Sequence, residues 1–265
     1  VYLRIKKHVI NQNVVHGVRV KLNAQLRITT LRFFKKILIA IKKNLTSCGA
    51  ENLGAKFYDE FKDIKQNIFY VNSDTLASQY TNIIGHFLHG IKLKSYKFDK
   101  YKTKKNKTNI SIIVTGKNKP SQKDQTKFKA IEEGTFYTRD LVSEPGNILH
   151  PDEYAKRLLP LKKLGIKVTV YDKKKLKKLG CNALLGVGQG SVRGSYLVTM
   201  EWNGTKSKSK PLAFVGKGVC FDTGGYSLKP ARFMEDMTYD MAGSAAVVGL
   251  MKTLALRKAK INAVG

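Results

Sequence analysis

The sequence has few cysteines, and no regular spacing relates them. Only three of its 265 residues are cysteine, namely Cys48, Cys181 and Cys220, and they lie far apart along the chain. An odd number of distant cysteines argues against a disulfide framework. Because unpaired cysteines are typical of the reducing cytoplasm, the composition predicts a cytoplasmic protein.

Long apolar runs are absent as well. The longest candidate, Leu31 to Leu45, is interrupted by four lysines, whereas a helix that crosses a bilayer needs about 20 mainly apolar residues. The pattern argues against a membrane span and predicts an amphipathic helix from Leu31 to Asn44. A short strand is predicted at Gly17 to Leu22.

Apolar residues are nevertheless numerous enough to form a core. Hydrophobic residues make up 42% of the chain and charged residues 26%, a balance that excludes a wholly disordered protein. With 265 residues, the chain has room for one large domain or two ordinary ones.

Acidic residues are scarce, and the chain is strongly basic. Against 49 lysines and arginines there are 19 acidic residues, which leaves a formal net charge of +30. Residues 92–107 hold eight lysines around Tyr96, Phe98 and Tyr101, and residues 173–178 hold a second lysine run. Such surfaces are able to bind nucleic acid without sequence preference. A biased nucleotide composition of the gene explains the same lysines, and both interpretations stay open.

The hydrophobic periodicity predicts an α/β fold with two domains. Helices are predicted at Asp74 to Leu88, at 125–140, after Pro151 and at Met241 to Arg257, and strands at Ile110 to Thr115, Lys167 to Tyr171, Tyr196 to Trp202, Leu212 to Cys220 and 261–265. This order predicts an N-terminal α/β domain at 1–118, a linking helix at 119–140 and a second α/β domain with a central mixed sheet at 141–265. Pro160 should end or kink the helix after Pro151, because an interior proline costs about 3 kcal/mol.

Two weaker motifs do not require a site. His86 and His89 stand three residues apart on a predicted helix and could share a metal, but no third ligand is evident nearby, and a packed pair is the simpler interpretation. The glycines of 186–190 do not have the spacing of a phosphate-binding loop, and a strand rather than a helix follows them. They are interpreted as a turn between strands.

Residues 211–245 differ from the rest of this basic chain. They contain three basic and four acidic residues, among them Lys217, Lys229, Asp222 and Asp240. Lys217 is predicted inside an apolar strand, and Asp222 where that strand ends, which is where α/β folds commonly build sites.

Each of these residues also has an ordinary explanation. Asp222 could form an Asx turn, Asp240 could be the N-cap of the following helix, and both lysines could reach solvent. Taken together, an amine and two carboxylates at structural joints are what a charged centre that binds divalent cations would need.

The tripeptide from Asp222 to Gly224 also matches the DTG motif of aspartic proteases. Those enzymes bring two such loops together so that paired carboxylates share one proton, and this chain holds one copy. Helices on both sides of the motif do not suit their all-β architecture, so this interpretation is disfavoured.

Residues 215–247 closely resemble the metal-binding core of the leucyl aminopeptidase (cytosol aminopeptidase) family; their sequence is VGKGVCFDTGGYSLKPARFMEDMTYDMAGSAAV. Upstream, TRDLVSEPGN at 138–147 resembles the start of that family's catalytic domain, of which 141–265 would be the first part. The similarity extends from about Thr135 to Gly265 and is weaker from about Asp74.

The resemblance implies an exopeptidase that uses two divalent metal ions, Mn or Zn, to remove N-terminal residues such as leucine from peptides. Lys217, Asp222 and Asp240 match metal-binding positions, with Asp222 at the bridging one. Lys229 matches the catalytic lysine that stabilises the gem-diolate, and Met237 matches a position that lines the pocket for the substrate's first side chain. Members of the family assemble as hexamers.

One motif of the family has no counterpart in this sequence. The NTDAEGR pattern, which contributes two further metal ligands and an arginine, lies downstream in the family, and these 265 residues do not contain it. Together with the initial Val1, this predicts a fragment of reduced or no activity. Tyr226 also differs from the family, in which a branched aliphatic residue follows the glycine pair.

Overall fold

The computed structural model describes residues 2–7, 28–31, 36–40, 44–64, 68–75, 81–105, 110–207 and 209–265. The chain divides into two compact units, Val1–Phe128 and Lys129–Gly265. Helix α3 (Gln122–Ser143) passes from the first unit into the second. The three-part division at 118 and 140 stays a prediction.

The first unit has a five-stranded mixed sheet in the order β2-β3-β1-β4-β5. Strands β4 and β5 pair in parallel, and the other neighbours are antiparallel. The helices and strands of this unit are β1 (Tyr2–Lys7), β2 (Ile28–Leu31), β3 (Lys36–Ala40), α1 (Ser47–Phe61), β4 (Ile68–Asn72), α2 (Thr81–Lys94) and β5 (Ser111–Thr115).

The helix predicted from Leu31 to Asn44 is wrong over the part that the structure describes. Its backbone forms β3, which pairs with β1 on one side and β2 on the other. The lysines that interrupt this apolar run suggested an amphipathic helix, but the β-branched Ile37 and Ile39 favour a strand that has partners on both sides. The strand predicted at Gly17 to Leu22 lies outside the described residues.

Helices α1 and α2 enclose an aromatic core with the sheet of the first unit. Phe57, Phe69 and Phe87 are fully buried, and the ring centroid of Phe57 lies 5.2 Å from that of Phe69 and 5.6 Å from that of Phe87. Edge-on contacts of this kind add about 0.5–1.5 kcal/mol to the free energy gained by burial. The predicted helix at Asp74 to Leu88 is confirmed from residue 81 onward and continues to Lys94.

The second unit is built on a four-stranded mixed sheet in the order β6-β7-β9-β8. Strand β7 is antiparallel to β6 and to β9, whereas β8 and β9 are parallel. This mixed sheet with its helices confirms the predicted α/β class. The elements are α4 (Pro151–Leu158), β6 (Lys167–Tyr171), α5 (Lys173–Lys178), α6 (Asn182–Val187), β7 (Leu197–Asn203), β8 (Leu212–Ala213), α7 (Ala231–Met234), α8 (Ala242–Leu256) and β9 (Asn262–Val264).

Helix α8 supplies much of the core of the second unit. Ala245, Val248 and Met251 on this helix are buried, in one cluster with Leu141 of α3 and Met200 of β7. Burying a side chain of the size of Met251 contributes about 1.5–3 kcal/mol. The start of α8, which follows Asp240 in the chain, is therefore fixed by a well-packed helix.

Pro160 acts as predicted. Helix α4 ends at Leu158, and a 3₁₀ helix continues from Leu159 to Leu164 with the proline in its first turn. Proline is tolerated there because the first N–H groups of a helix have no partner within it. Among the described residues, no helix is both long and apolar enough to cross a membrane.

The strand predicted from Leu212 to Cys220 is confirmed for its first two residues and is wrong for the rest. After β8, the backbone N–H of Phe214 still donates to the carbonyl oxygen of Val264 (2.8 Å), and the ladder then stops. The chain turns toward the start of α8, where a Cβ atom on Gly216 would lie 2.5 Å from Cα of Ser244. Residues 214–219 therefore form a loop, and Lys217 lies on that loop rather than within a strand.

Candidate metal centre

Lys217 is held in place by its backbone. Its carbonyl oxygen accepts a hydrogen bond from the backbone N–H of Ser244 (2.9 Å), in the first turn of α8. Its Nζ atom lies 2.6 Å from Oδ1 of Asp240. The loop thus brings a lysine and an aspartate that are 23 positions apart into a direct ion pair.

Asp240 lies between two helices and caps neither with its side chain. It follows a 3₁₀ helix at Glu235–Tyr239, and α8 begins with Met241 as its N-cap residue and without a side-chain cap. The predicted N-cap role of Asp240 is therefore wrong, because its carboxylate turns toward Lys217. The side chain is only 15% exposed, and its second oxygen, Oδ2, is buried without a hydrogen-bond partner among the described residues.

Asp222 forms the predicted Asx turn. Its Oδ1 atom accepts a hydrogen bond from the backbone N–H of Gly224 (2.8 Å). Gly224 has φ +91° and Gly225 has φ +73°, a left-handed conformation that glycine adopts without the strain caused by a Cβ atom. The turn leads to Lys229, whose backbone N–H donates to the carbonyl oxygen of Thr223 (2.9 Å).

This turn produces a second lysine–aspartate pair. Nζ of Lys229 lies 3.5 Å from Oδ2 of Asp222. The hydrogen bond from Gly224 is the main cause that lowers the pKa of Asp222, and the charges of Lys229 and Lys217 lower it further. Because both lysines act on this carboxylate, the two ion pairs belong to one charged cluster.

Met237 lies on the 3₁₀ helix that precedes Asp240. Its side chain is half-buried, and its carbonyl oxygen accepts a hydrogen bond from the backbone N–H of Asp240 (3.3 Å). The same backbone segment thus positions a metal-ligand candidate and the residue predicted to line a substrate pocket.

The residues present fit a divalent cation. Carboxylate oxygens bind such ions readily, and a buried carboxylate oxygen that lacks a donor costs free energy, about 1–3 kcal/mol for an unsatisfied polar group. A cation at Oδ2 of Asp240 would remove that cost. In the described residues, no three or more His, Cys, Asp and Glu side chains lie together where they could hold a metal ion. The candidate centre consists instead of an amine and two carboxylates.

Ser244 is a supporting residue that the sequence analysis did not identify. Besides holding Lys217 through its backbone, it places its Oγ atom 3.0 Å from the hydroxyl oxygen of Tyr154 and donates to the carbonyl oxygen of Met241 (2.8 Å). The backbone bond anchors the loop that carries Lys217 to the start of α8, and the two side-chain bonds hold Ser244 itself in place. No local sequence signal marks this role, because the partners are distant in the chain.

The histidines at 86 and 89 take part in packing. Nδ1 of His86 lies 2.7 Å from Oε1 of Glu51, and the rings of both histidines lie 4.9 Å from that of Phe128. Gly186 lies in α6, and Gly188 and Gly190 follow that helix before β7, so the turn lies between a helix and a strand and not between two strands. The lysine run at 173–178 forms α5, and its binding to nucleic acid stays a prediction.

A family model for the catalytic domain of the cytosol aminopeptidase family matches residues 136–265. A "Probable cytosol aminopeptidase" of Brucella suis is 52% identical over 203 residues, which are 72% of this chain and 41% of that protein. One of Phytoplasma australiense is 50% identical over 205 residues, 76% of this chain and 42% of that protein. The chain thus spans about two fifths of the length of these curated relatives.

Solved structures show the same fold. The bottromycin maturation enzyme BotP in complex with Mn has a TM-score of 0.70 and 25% identity, over 83% of this chain and 47% of that chain. A cytosol aminopeptidase of Coxiella burnetii has a TM-score of 0.71 and 22% identity, over 91% of this chain and 49% of that chain. Both matches cover about half of the longer chain.

Proposed function

Residues 136–265 place this chain in the cytosol aminopeptidase family, and from this premise we propose that it contributes the catalytic centre of a metal-dependent aminopeptidase. The reaction is the release of N-terminal residues, such as leucine, from peptides. The observation that carries the proposal is the cluster of two lysine–aspartate pairs in the matched segment, with the buried, unpartnered Oδ2 of Asp240 at its edge.

Lys217, Asp222 and Asp240 would hold two divalent metal ions, Mn or Zn. When bound, such ions polarise the scissile carbonyl group and lower the pKa of the attacking water. Asp222 would be one of the carboxylates that hold these ions, and the nearby charges of both lysines favour its ionised form, which metal binding requires. The bond from Gly224 fixes one of its oxygens and thereby the orientation of the carboxylate.

Lys229 would stabilise the negative charge that develops on the carbonyl oxygen of the substrate. Its backbone is fixed by the bond to Thr223, and Asp222 holds its ammonium group at 3.5 Å. A positive charge that is already oriented does not need to reorganise during the reaction, which is the main source of electrostatic catalysis. Met237, half-buried on the neighbouring 3₁₀ helix, would contact the substrate's first side chain.

The partners and location follow from the same proposal. The substrates are peptides with a free N-terminus, and the location is the cytoplasm, in keeping with three unpaired cysteines. A hexameric assembly stays a prediction of the resemblance.

A chimera tests the proposal on the segment that carries it. Residues 136–265 of this chain replace the matched segment of the Brucella suis relative, and hydrolysis of leucine p-nitroanilide is measured with added MnCl₂. We expect turnover that falls to background in Asp222→Ala and persists in the matched control Asp236→Ala. A folded chimera without turnover, or turnover that does not change in Asp222→Ala, would overturn the proposal.

A further inference from the structure

Tyr154 is a buried tyrosine whose hydroxyl group reaches the start of α8. It lies on α4, is 6% exposed and belongs to the core cluster of the second unit. Its hydroxyl oxygen lies 3.0 Å from Oγ of Ser244, which is 90 positions away in the chain. A buried tyrosine needs a polar partner for its hydroxyl group. Here that partner is a residue that contacts the candidate metal centre.

A third group determines the direction of the hydrogen bond between these two hydroxyl groups. Oγ of Ser244 lies 2.8 Å from the carbonyl oxygen of Met241, and a carbonyl oxygen only accepts hydrogen bonds. Because a serine hydroxyl has one proton to donate, Ser244 donates to Met241 and accepts from Tyr154. Burial raises the pKa of Tyr154, so its hydroxyl group keeps the proton that this bond needs.

Ser244 is connected to both partners of the ion pair between Lys217 and Asp240. Its backbone N–H donates to the carbonyl oxygen of Lys217 (2.9 Å), and its hydroxyl group donates to Met241, which directly follows Asp240 in the chain. The N–H groups in the first turn of a helix have no partner within that helix, and the side chain of Met241 does not cap α8. The carbonyl group of Lys217 therefore caps the helix, and the loop at 214–219 is held by the same bond.

The loop at 214–219 depends on this bond because it packs little by itself. None of its six residues is buried, and Lys217 stands between two glycines. A Cβ atom on Gly216 would lie 2.5 Å from Cα of Ser244, so the loop backbone lies directly against this residue. A shift of Ser244 would therefore move the backbone of Lys217 and change its contact with Asp240, in which Nζ lies 2.6 Å from Oδ1.

We propose that Tyr154 is a positioning residue of the candidate centre: through Ser244, its hydroxyl group holds the loop that carries Lys217 against the start of α8, where Lys217 meets Asp240. Tyr154 itself contacts neither metal nor substrate in this proposal. Its effect on the loop belongs to the metal-free protein, whereas its effect on metal binding rests on the proposed function. The two effects are therefore measured separately.

The first measurement is hydrogen exchange of the backbone amides in EDTA, followed by nuclear magnetic resonance. The variants are Tyr154→Phe, Ser244→Ala and the two changes combined. Tyr137→Phe is the matched control, because the hydroxyl group of this partly buried tyrosine of the same unit also donates to a backbone carbonyl oxygen, that of Arg157 (2.6 Å). Circular dichroism checks that each variant is folded.

We expect Tyr154→Phe to speed the exchange of the amide at position 244 about fivefold, as the loss of one ordinary hydrogen bond allows. Amides in the interior of α8 should change no more than they do in Tyr137→Phe. The combined variant should exchange no faster at position 244 than Ser244→Ala does, because Tyr154 acts through Ser244. An unchanged rate at position 244, a uniform acceleration along α8, or additive effects of the two changes would overturn the proposal.

The second measurement is the affinity for Mn²⁺, followed through the electron paramagnetic resonance signal of the free ion. Tyr154→Phe should bind Mn²⁺ about fivefold more weakly than the unchanged chain, and Tyr137→Phe should bind it equally well. Equal affinities of Tyr154→Phe and the unchanged chain would overturn the positioning role. If the unchanged chain bound no Mn²⁺, the proposed function would be rejected, and the exchange at position 244 would still decide whether Tyr154 holds the loop.

Discussion

Nζ of Lys217 lies 2.6 Å from Oδ1 of Asp240, while the other carboxylate oxygen of Asp240 is buried and unpartnered within the described structure. The two partners differ in environment, because the lysine side chain is 59% exposed and the aspartate side chain is 15% exposed. Removing one partner should therefore not have the same effect as removing the other.

We predict that Lys217→Met destabilises the metal-free protein more than Asp240→Asn does. The first change leaves a mostly buried carboxylate without its cation, at a cost of about 1–3 kcal/mol. The second leaves a lysine that is free to be solvated and removes a buried charge, at a cost below about 1 kcal/mol.

Urea unfolding in EDTA gives the two free energies of unfolding. Asp236→Ala, on the exposed side of the neighbouring 3₁₀ helix, controls for the loss of a carboxylate elsewhere. Equal destabilisation by Lys217→Met and Asp240→Asn would show that the ion pair acts as an ordinary surface pair.

A second prediction concerns the contact of α3 with α8. A Cβ atom on Gly249 would lie 2.0 Å from Oγ1 of Thr138 and 2.6 Å from the carbonyl oxygen of Gly134. Gly249→Ala should therefore destabilise the protein by about 1–3 kcal/mol through overpacking. The control is Gly186→Ala in α6, which meets no atom within 4 Å and should stabilise the helix slightly. Thermal unfolding measures both effects, and an equal change of melting temperature in the two variants would contradict this contact between α3 and α8.

The sequence predicted those elements whose pattern is local. Strand β6 was predicted with the observed bounds, and α8 differs from its prediction by one residue at each end, because periodicity and chain-breaking residues act over a few positions. The segments Leu31–Asn44 and Leu212–Cys220 were predicted wrongly, because their conformation depends on which strands lie beside them.

In the candidate site, too, the local features were predicted from the sequence and the features that depend on distant residues were not. The Asx turn of Asp222 is a local motif, and it was predicted. The pairing of Lys217 with Asp240 depends on the loop that turns toward Ser244. From the sequence, an N-cap role for Asp240 was as well supported as a place in a charged centre, because Asp is a common residue just before a helix. The tertiary ion pair decides between the two; the local pattern left both open, and the resemblance to the family implied that Lys217 and Asp240 belong to one site.

A third prediction concerns the cysteines. Burial raises the pKa of the Cys220 thiol to about 12, whereas Cys48 is exposed and Cys181 is partly exposed. Because the thiolate is the reactive form, Cys220 should not react with Ellman's reagent at pH 8 until the protein is unfolded, while the other two cysteines react in the native protein.

The raised pKa of Cys220 also determines how the stability of the protein depends on pH. The native thiol keeps its proton where the unfolded thiol has lost it, so stability should fall as the pH rises from the ordinary value of 9.0 to about 12. Cys220→Ser should reduce this part of the pH dependence, and Cys48→Ser should not. Fast labelling of three thiols in the native protein would contradict the burial of Cys220.

The most direct measurement of the central claim is Mn²⁺ binding to the 265-residue protein, followed through the electron paramagnetic resonance signal of free Mn²⁺. The account predicts saturable binding to the unchanged protein and to Asp236→Ala, and binding weakened about tenfold or more in Asp222→Ala and in Asp240→Ala. Absence of binding, or one affinity shared by all four proteins, would contradict the assignment of Asp222 and Asp240 as metal ligands.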